Sequence, residues 1–320
     1  MKIRHILFSM PILMAACSSG FVIPDPVPGG KPTQPSNPSD EEEDTPIVDE
    51  PPQELKEGML YADGNDEGTY ELILSRGYNM EPPDNSGAHA SAPWRHIRQH
   101  TDDILKRPVF DFYIHVENDD DRGKPEITDR QRNEIKTDGK SPAALVAQEG
   151  ETLRISWKFR LPEGFQTTTN FCHIHQLKGI DNSDGTADVG MPLITFTCRS
   201  LSSGGQQFQV IHVGRTEDNA SNNYLKKVNL ADFLGEWVTV TETVKFAQNG
   251  RYQLVIYRMS DGKKLVELDK SGLDLWRTGT TGLRPKWGIY RSLGKNHVLA
   301  PQLRDEVLNF ADFYIEKLTN

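Results

Sequence analysis

Several features that would assign this 320-residue chain to a common class are missing. Past residue 16 no stretch is long and apolar enough to cross a bilayer as a helix, which excludes a second span after the N-terminal apolar run. No lysine- or arginine-rich tract occurs, so nucleic acid is not an expected partner. There is no Gly-x-Ser-x-Gly elbow, and a serine hydrolase therefore has no support. No internal repeat and no second linker break the C-terminal 260 or so residues, a length normal for one large β-sandwich. Helix signals are thin. Residues 94–106, with Ile97, Ile104 and Leu105 on one side, are expected to form a helix or two turns.

What is present begins with a short basic head, Lys2 and Arg4, and an apolar run from Ile6 to Ala16. These are features of a secretory signal, too short for a transmembrane helix. Ala15-Ala16 lead directly into Cys17, and the junction resembles a bacterial lipobox, with Met14 where leucine is usual. The resemblance implies a signal peptide over 1–17, lipidation of Cys17, and an exported protein held at a membrane only by that anchor, in the periplasm or on the cell surface. Residues 18–57 carry nine of the 20 prolines, ten acids and two lysines. Such a segment cannot bury enough apolar surface to offset its chain entropy, and is expected to be a disordered, extended stalk. The chain's net charge is −10; the signal contributes +2 and the stalk −8, leaving −4 for residues 58–320. A mildly acidic domain still permits local cationic clusters to govern a site.

Strand signals dominate residues 58–320. In 152–161, Leu153, Ile155, Trp157, Phe159 and Leu161 share one face, and Arg154, Ser156, Lys158 and Arg160 the other. This period of two marks a half-buried strand. Residues 109–116, 237–246, 251–259 and 310–318 read alike. Asn249-Gly250 and Asp261-Gly262 are hairpin turns, and they predict a meander over about 237–269. The fold class expected is all-β, a lectin-like (concanavalin A-like) jelly-roll sandwich of two antiparallel sheets.

Three segments place unusual chemistry on a strand face. In 129–136, Arg130, Arg132, Glu134 and Lys136 point one way, and the opposite positions Gln131 and Asn133 are hardly apolar. In 170–178, His173 and His175 share a face under strict alternation, with Cys172, Ile174 and Gln176 on the other. Lys178 has the wrong parity to join the histidines unless a bulge intervenes. Zinc on the two histidines would need a third ligand. In 284–292, Lys286, Gly288, Tyr290 and Ser292 share a face, and Gly288 would clear space between Lys286 and Tyr290.

Together these segments resemble the alginate-lyase, heparin-lyase and glucuronan- or ulvan-lyase group of jelly-roll polysaccharide lyases. Arg132, Glu134 and Lys136 are similar to its Arg-x-Glu-x-Arg strand, His173-Ile174-His175 to its Gln-Ile-His strand, and Lys286, Gly288 and Tyr290 to its Lys-x-Gly-x-Tyr strand. Lys136 replaces an arginine and His173 a glutamine; Arg284 and Ser292 depart from the outer positions. The resemblance covers roughly 109–317. It implies β-elimination on an anionic, uronic-acid polysaccharide. Arg132 would bind the substrate carboxylate, Glu134 would hold that guanidinium, and Lys136 or Lys286 would add positive potential. His175 is the expected base at C5 or stabiliser of the intermediate, Tyr290 the acid at O4 or, as in some members of the group, the group that takes both proton roles, and His173 and Arg130 line the subsite. The rival expectation is a surface glycan-binding lipoprotein without turnover; a structural or adhesion role is a third. A glycosidase would use paired carboxylates, and Glu134 between Arg132 and Lys136 suits an anionic substrate better.

No cofactor is expected beyond calcium, for which the acid-rich run 117–123 offers oxygen ligands without EF-hand spacing. A monomer is expected. If residues 170–178 and 192–200 form a hairpin centred on Gly185, Cys172 faces Cys198 as either a disulfide or two buried thiols, with a structural role in both cases.

Overall fold

The computed structural model describes residues 54–319, except 86, 125 and 215–221. The signal peptide, Cys17 and stalk residues 18–53 lie outside the described residues.

Fifteen strands build two stacked antiparallel sheets among the described residues. The back sheet runs β13 (Lys264–Leu273), β12 (Gly250–Arg258), β11 (Trp237–Lys245), β6 (Thr152–Arg160), β15 (Glu306–Leu318), β4 (Pro108–Ile114) and β3 (Ile97–Thr101), with β1 (Met59–Leu60) also paired to β15. The front sheet runs β10 (Asn222–Asn229), β9 (Gln206–Val213), β8 (Ile194–Ser200), β7 (Cys172–Ile180), β14 (Gly282–Ser292), β5 (Arg130–Lys136) and β2 (Asn79–Glu81). This is the expected all-β jelly-roll sandwich. The meander is there too: Lys245 pairs with Arg251 across the first turn, and Tyr257 with Lys264 across the second.

The alternation in β6 works as its sequence predicts. Leu153, Ile155, Trp157 and Phe159 are buried between the sheets, where Trp157 meets Phe196, Phe310 and Trp287 from both layers. Each such large apolar side chain contributes about 1.5–3 kcal/mol on burial. Residues 94–106 do not form a helix. Ile97 and Gln99 point inward from the edge strand β3, which pairs with β4 from Ile97–Phe112 to Thr101–Pro108. A neighbouring strand supplies the backbone hydrogen bonds that a helix would have made internally. The described α-helix is a short one, α1 (Thr69–Ser75).

Candidate active site on the front sheet

The three chemistry-bearing strands are neighbours in the order β7–β14–β5. Tyr290 is the junction: it pairs with Arg132 on one side and His173 on the other. Further along, Lys286 pairs with Lys136 and Gln176, and Arg284 with Lys178.

Parity fails in one place. On β7 the register shifts between His173 and His175 against β8, from His173–Thr197 to His175–Phe196. Ile174 and His175 are both fully buried, and both turn into the core. Such a bulge reverses every later side chain. His173, Gln176 and Lys178 consequently line the front face, and His175 does not. His175 lies between the sheets against Trp157, Phe196 and Trp287, with ring centres 5.0–5.6 Å away. Its Nε2 is 3.0 Å from Oε1 of the buried Glu242 on β11. The expectation that His175 abstracts a substrate proton is therefore corrected, because solvent does not reach it. A zinc ion shared by His173 and His175 is ruled out by the same geometry.

The polar back of β5 also has a physical account. Gln131 donates through Nε2 to the carbonyls of His115, Val116 and Asp119, and Asn133 donates to those of His96 and Tyr113. These side chains clasp the end of β4 and the irregular backbone around it beneath the strand, where an apolar residue would leave carbonyls unpaired.

On the front of β5 the charges are heavily paired. Glu81 on β2 lies across the strand and meets Arg132 at 3.1 Å, Lys136 at 2.8 Å and Lys286 at 2.5 Å. Glu134, fully buried, meets Arg132 at 3.0 Å and Lys286 at 2.5 Å, and accepts from Gln176 at 2.5 Å. Asp121 accepts from Arg132 Nε at 2.7 Å. Burial alone would raise the carboxyls of Glu81 and Glu134, but Lys286 and Arg132, with Lys136 also acting on Glu81, outweigh it and hold both below the ordinary value. Two further expectations need correcting. Lys286 is 1% exposed and is engaged by two carboxylates, so it does not offer its charge to a ligand. Arg132 is 6% exposed and bound to three carboxylates; it is not a free clamp for a substrate carboxylate. Glu134 holds Arg132, as expected, but from a position too buried to bind substrate itself.

What remains accessible is arranged around Tyr290. The Arg132 guanidinium lies under its ring, 3.8 Å from the centroid. Arg130 Nη1 donates to the phenol oxygen at 2.8 Å, which leaves the phenol proton free to be donated elsewhere. The His173 ring is 5.9 Å from the Tyr290 ring, between centroids, and its Nδ1 is 2.8 Å from Thr197 Oγ1. Burial, helped by Arg199, Arg132 and Lys178 and opposed by Glu134, pushes His173 down to about 3. It is neutral at any pH where the protein would work. Beside it opens a cleft of 320 Å³ lined by Asn170, Phe171, His173, Met191, Thr195 and Arg199, among others.

Sequence reasoning passed over Glu81 and Arg199, weighed Asp121 only as a calcium ligand, and set Gln176 and Lys178 aside on parity. Arg284 went unused too. Its Nε and Nη1 are buried without a hydrogen-bond partner among the described residues, and with Lys178 it makes a cationic end to the same face. Burial pushes Lys178 down to about 8, with Lys286, Arg132 and Arg284 adding to the shift.

The acid-rich run 117–123 does not form an oxygen cage. Asp119 turns toward histidines, Asp121 binds Arg132 and Arg122, and Asp120 accepts from the backbone of Gly123. The calcium expectation at this run is corrected accordingly. His173 pairs with Thr197, the register that the hairpin arithmetic requires for Cys172 and Cys198, and both cysteines are free buried thiols.

A family model described as polysaccharide lyase matches residues 96–310. No curated protein matches the sequence significantly. Among solved structures, an endo-β-1,4-glucuronan lyase from the fungus Trichoderma reesei is 15% identical, with a TM-score of 0.47 over 75% of this chain and 94% of that one. An alginate lyase from Pseudomonas aeruginosa is 15% identical, with a TM-score of 0.47 over 76% and 98%. An alginate lyase from Chlorella virus is 11% identical, with a TM-score of 0.42 over 77% and 96%. With two-thirds of its length matched by that family model, the chain belongs to the polysaccharide lyases.

Proposed function

We propose that the protein cleaves a uronic-acid polysaccharide by β-elimination, with His173 as base and Tyr290 as acid. The observation that carries this is the His173–Tyr290 pair: a neutral imidazole and a phenol in register on adjacent strands, on a face that also carries Lys178 and Arg284. His173 would take the C5 proton through Nε2, with Nδ1 held by Thr197. The C5 electron pair forms the C4=C5 double bond, the C4–O4 bond breaks, and O4 takes the Tyr290 proton. Negative charge spreads into the substrate carboxylate during this step, and Arg130, which forks onto Asp129 through Nε and Nη2 and donates Nη1 to Tyr290, would add positive potential there. Arg132 acts through Tyr290, holding its ring. Arg199 on one side, and Lys178 and Arg284 on the other, would receive carboxylates of neighbouring sugars.

The purified protein should raise the ultraviolet absorbance of unsaturated uronate on at least one of alginate, glucuronan, ulvan or a heparin-type chain. Tyr290→Phe should remove that signal, by about 10²-fold or more. Retention of a polyuronide in an affinity gel with no absorbance change on any of the four would replace this reading with glycan binding alone.

We also propose export and lipid anchoring through Cys17, supported by the lipobox-like junction. Incorporation of labelled palmitate, lost in Cys17→Ser, is its test.

A further inference from the structure

A second cluster lies behind β5, on the opposite side from the cleft. His89, His96, His115 and Asp119 each offer one ligand atom, and all four atoms lie within 4.8 Å of one another. His96 Nε2 is 2.9 Å from Asp119 Oδ1, His89 Nε2 is 3.2 Å from the same oxygen, and His115 Nδ1 is 3.2 Å from Oδ2. The last two contacts lack hydrogen-bond geometry: His89 Nε2 and His115 Nδ1 are buried nitrogens with no hydrogen-bond partner among the described residues. Buried polar atoms are seldom left in that state. Nitrogens that crowd a carboxylate without bonding to it are arranged as ligands of one ion. Four ligands about 2.0–2.1 Å from a tetrahedral zinc ion stand about 3.3 Å apart. The nitrogen–carboxylate spacings of 2.9–3.2 Å are already close to that value, and no two of the four ligand atoms are more than 4.8 Å apart.

The surroundings fit as well. His96 Nδ1 is 2.9 Å from Asp84 Oδ1, the carboxylate–histidine arrangement that fixes the tautomer of a metal-bound imidazole. Asp84 is itself held by the Tyr70 hydroxyl and the His96 backbone N–H. With neutral imidazoles, Asp84 and Asp119 together balance a divalent charge. Trp94 packs edge-on against His96 and His115, with ring centres 4.8 and 5.1 Å away, and shields the point from water.

We propose that His89, His96, His115 and Asp119 bind a zinc ion in a closed structural site. Its position says what it does. The carbonyls that Gln131 and Asn133 grip from β5 belong to His96, Tyr113, His115, Val116 and Asp119, three of them ligand residues. Two residues past Asp119, Asp121 reaches around to Arg132 on the front face. The ion would thus stiffen the base on which β5 presents Arg130 and Arg132.

Metal analysis of the full purified chain should find one zinc per molecule. After chelation, cobalt(II) should restore stoichiometric binding with the intense visible bands of tetrahedral coordination, and chelation should lower the melting temperature by about 5 °C or more. His89→Gln, on a partly exposed turn, should lose the metal and the chelator sensitivity together. Absence of stoichiometric metal, with no cobalt bands in the wild-type chain and a melting temperature indifferent to chelator, would overturn the proposal and leave a histidine–aspartate ion-pair network. Weak octahedral cobalt bands would overturn it too. The wild-type cobalt spectrum needs no variant to fold, and none of these readouts depends on lyase activity.

Discussion

The guanidinium carbon of Arg132 lies 3.8 Å from the centre of the Tyr290 ring, directly across the β5–β14 ladder. Three carboxylates hold the guanidinium there, from β2, from β5 and from the loop before β5. An arginine so engaged works as a platform. Its planar face supports the ring, and its charge acts on the phenol from below.

Arg132→Lys keeps the charge but removes the flat face and the fixed donor geometry. A cation–π contact at a desolvated site is worth about 1–2 kcal/mol, which corresponds to about tenfold in rate. Steady-state kinetics should show kcat falling by about that factor with KM nearly unchanged. A rise in KM alone would instead mean that Arg132 binds substrate.

The two histidines of β7 should separate cleanly. His173→Ala is expected to abolish elimination with little change in stability. His175→Ala opens a cavity between the sheets beside Glu242, at a cost of about 3 kcal/mol or more, while the folded protein keeps its activity. Urea titration and turnover on the same samples distinguish the outcomes.

The pH profile of kcat/KM should show no inflection near 6.5, because burial holds His173 down to about 3. Loss of activity on acidification should instead follow unfolding. Glu81 has a folded-state value depressed below the unfolded one: burial would raise it, but Lys286, Arg132 and Lys136 outweigh that. Its stabilisation is fully present above the unfolded carboxylate value of about 4.3, and is lost as pH falls from there toward the folded value. Glu81→Gln leaves buried cations short of a partner and should cost about 3–5 kcal/mol at neutral pH. Circular dichroism melts between pH 3 and 7 would show the wild type losing stability below about pH 4.5, with that portion missing from the variant.

Gly288→Ala should be badly tolerated. Gly288 has φ +139°, and an added Cβ would sit 2.1 Å from the Asn133 carbonyl oxygen on β5. Backbone strain alone is expected to cost about 1–3 kcal/mol, and separation of β14 from β5 would add to it. Hydrogen exchange at β5 amides is the measurement, and unchanged protection would count against this role. The glycine serves strand contact rather than the space between Lys286 and Tyr290 that the sequence pattern implied.

The sequence by itself determined the layered all-β architecture. Period-two alternation in β6 and the Asn249-Gly250 and Asp261-Gly262 turns are local signals, and each acts through its own backbone or its immediate neighbours. The same parity placed Arg130, Arg132, Glu134, Lys286 and Tyr290 on one face, and the structure sets their strands side by side. Tertiary structure decided which members of that set stay accessible. The bulge at Ile174 and His175 depends on how β7 pairs with β8 and β14, and a single extra residue there exchanges His175 for Gln176 and Lys178. Lys286 is withdrawn by Glu81, 205 positions away along the chain, and no window of sequence contains both. Within residues 94–106, Ile97–Thr101 became an edge strand because β4 was there to pair with it. His89, His96, His115 and Asp119 carry no spacing signature, because a sandwich gathers them from two strand ends, a 3-10 turn and a loop. Periodicity reports which way a side chain points along its own strand; what meets it there is set by neighbours that only folding brings near.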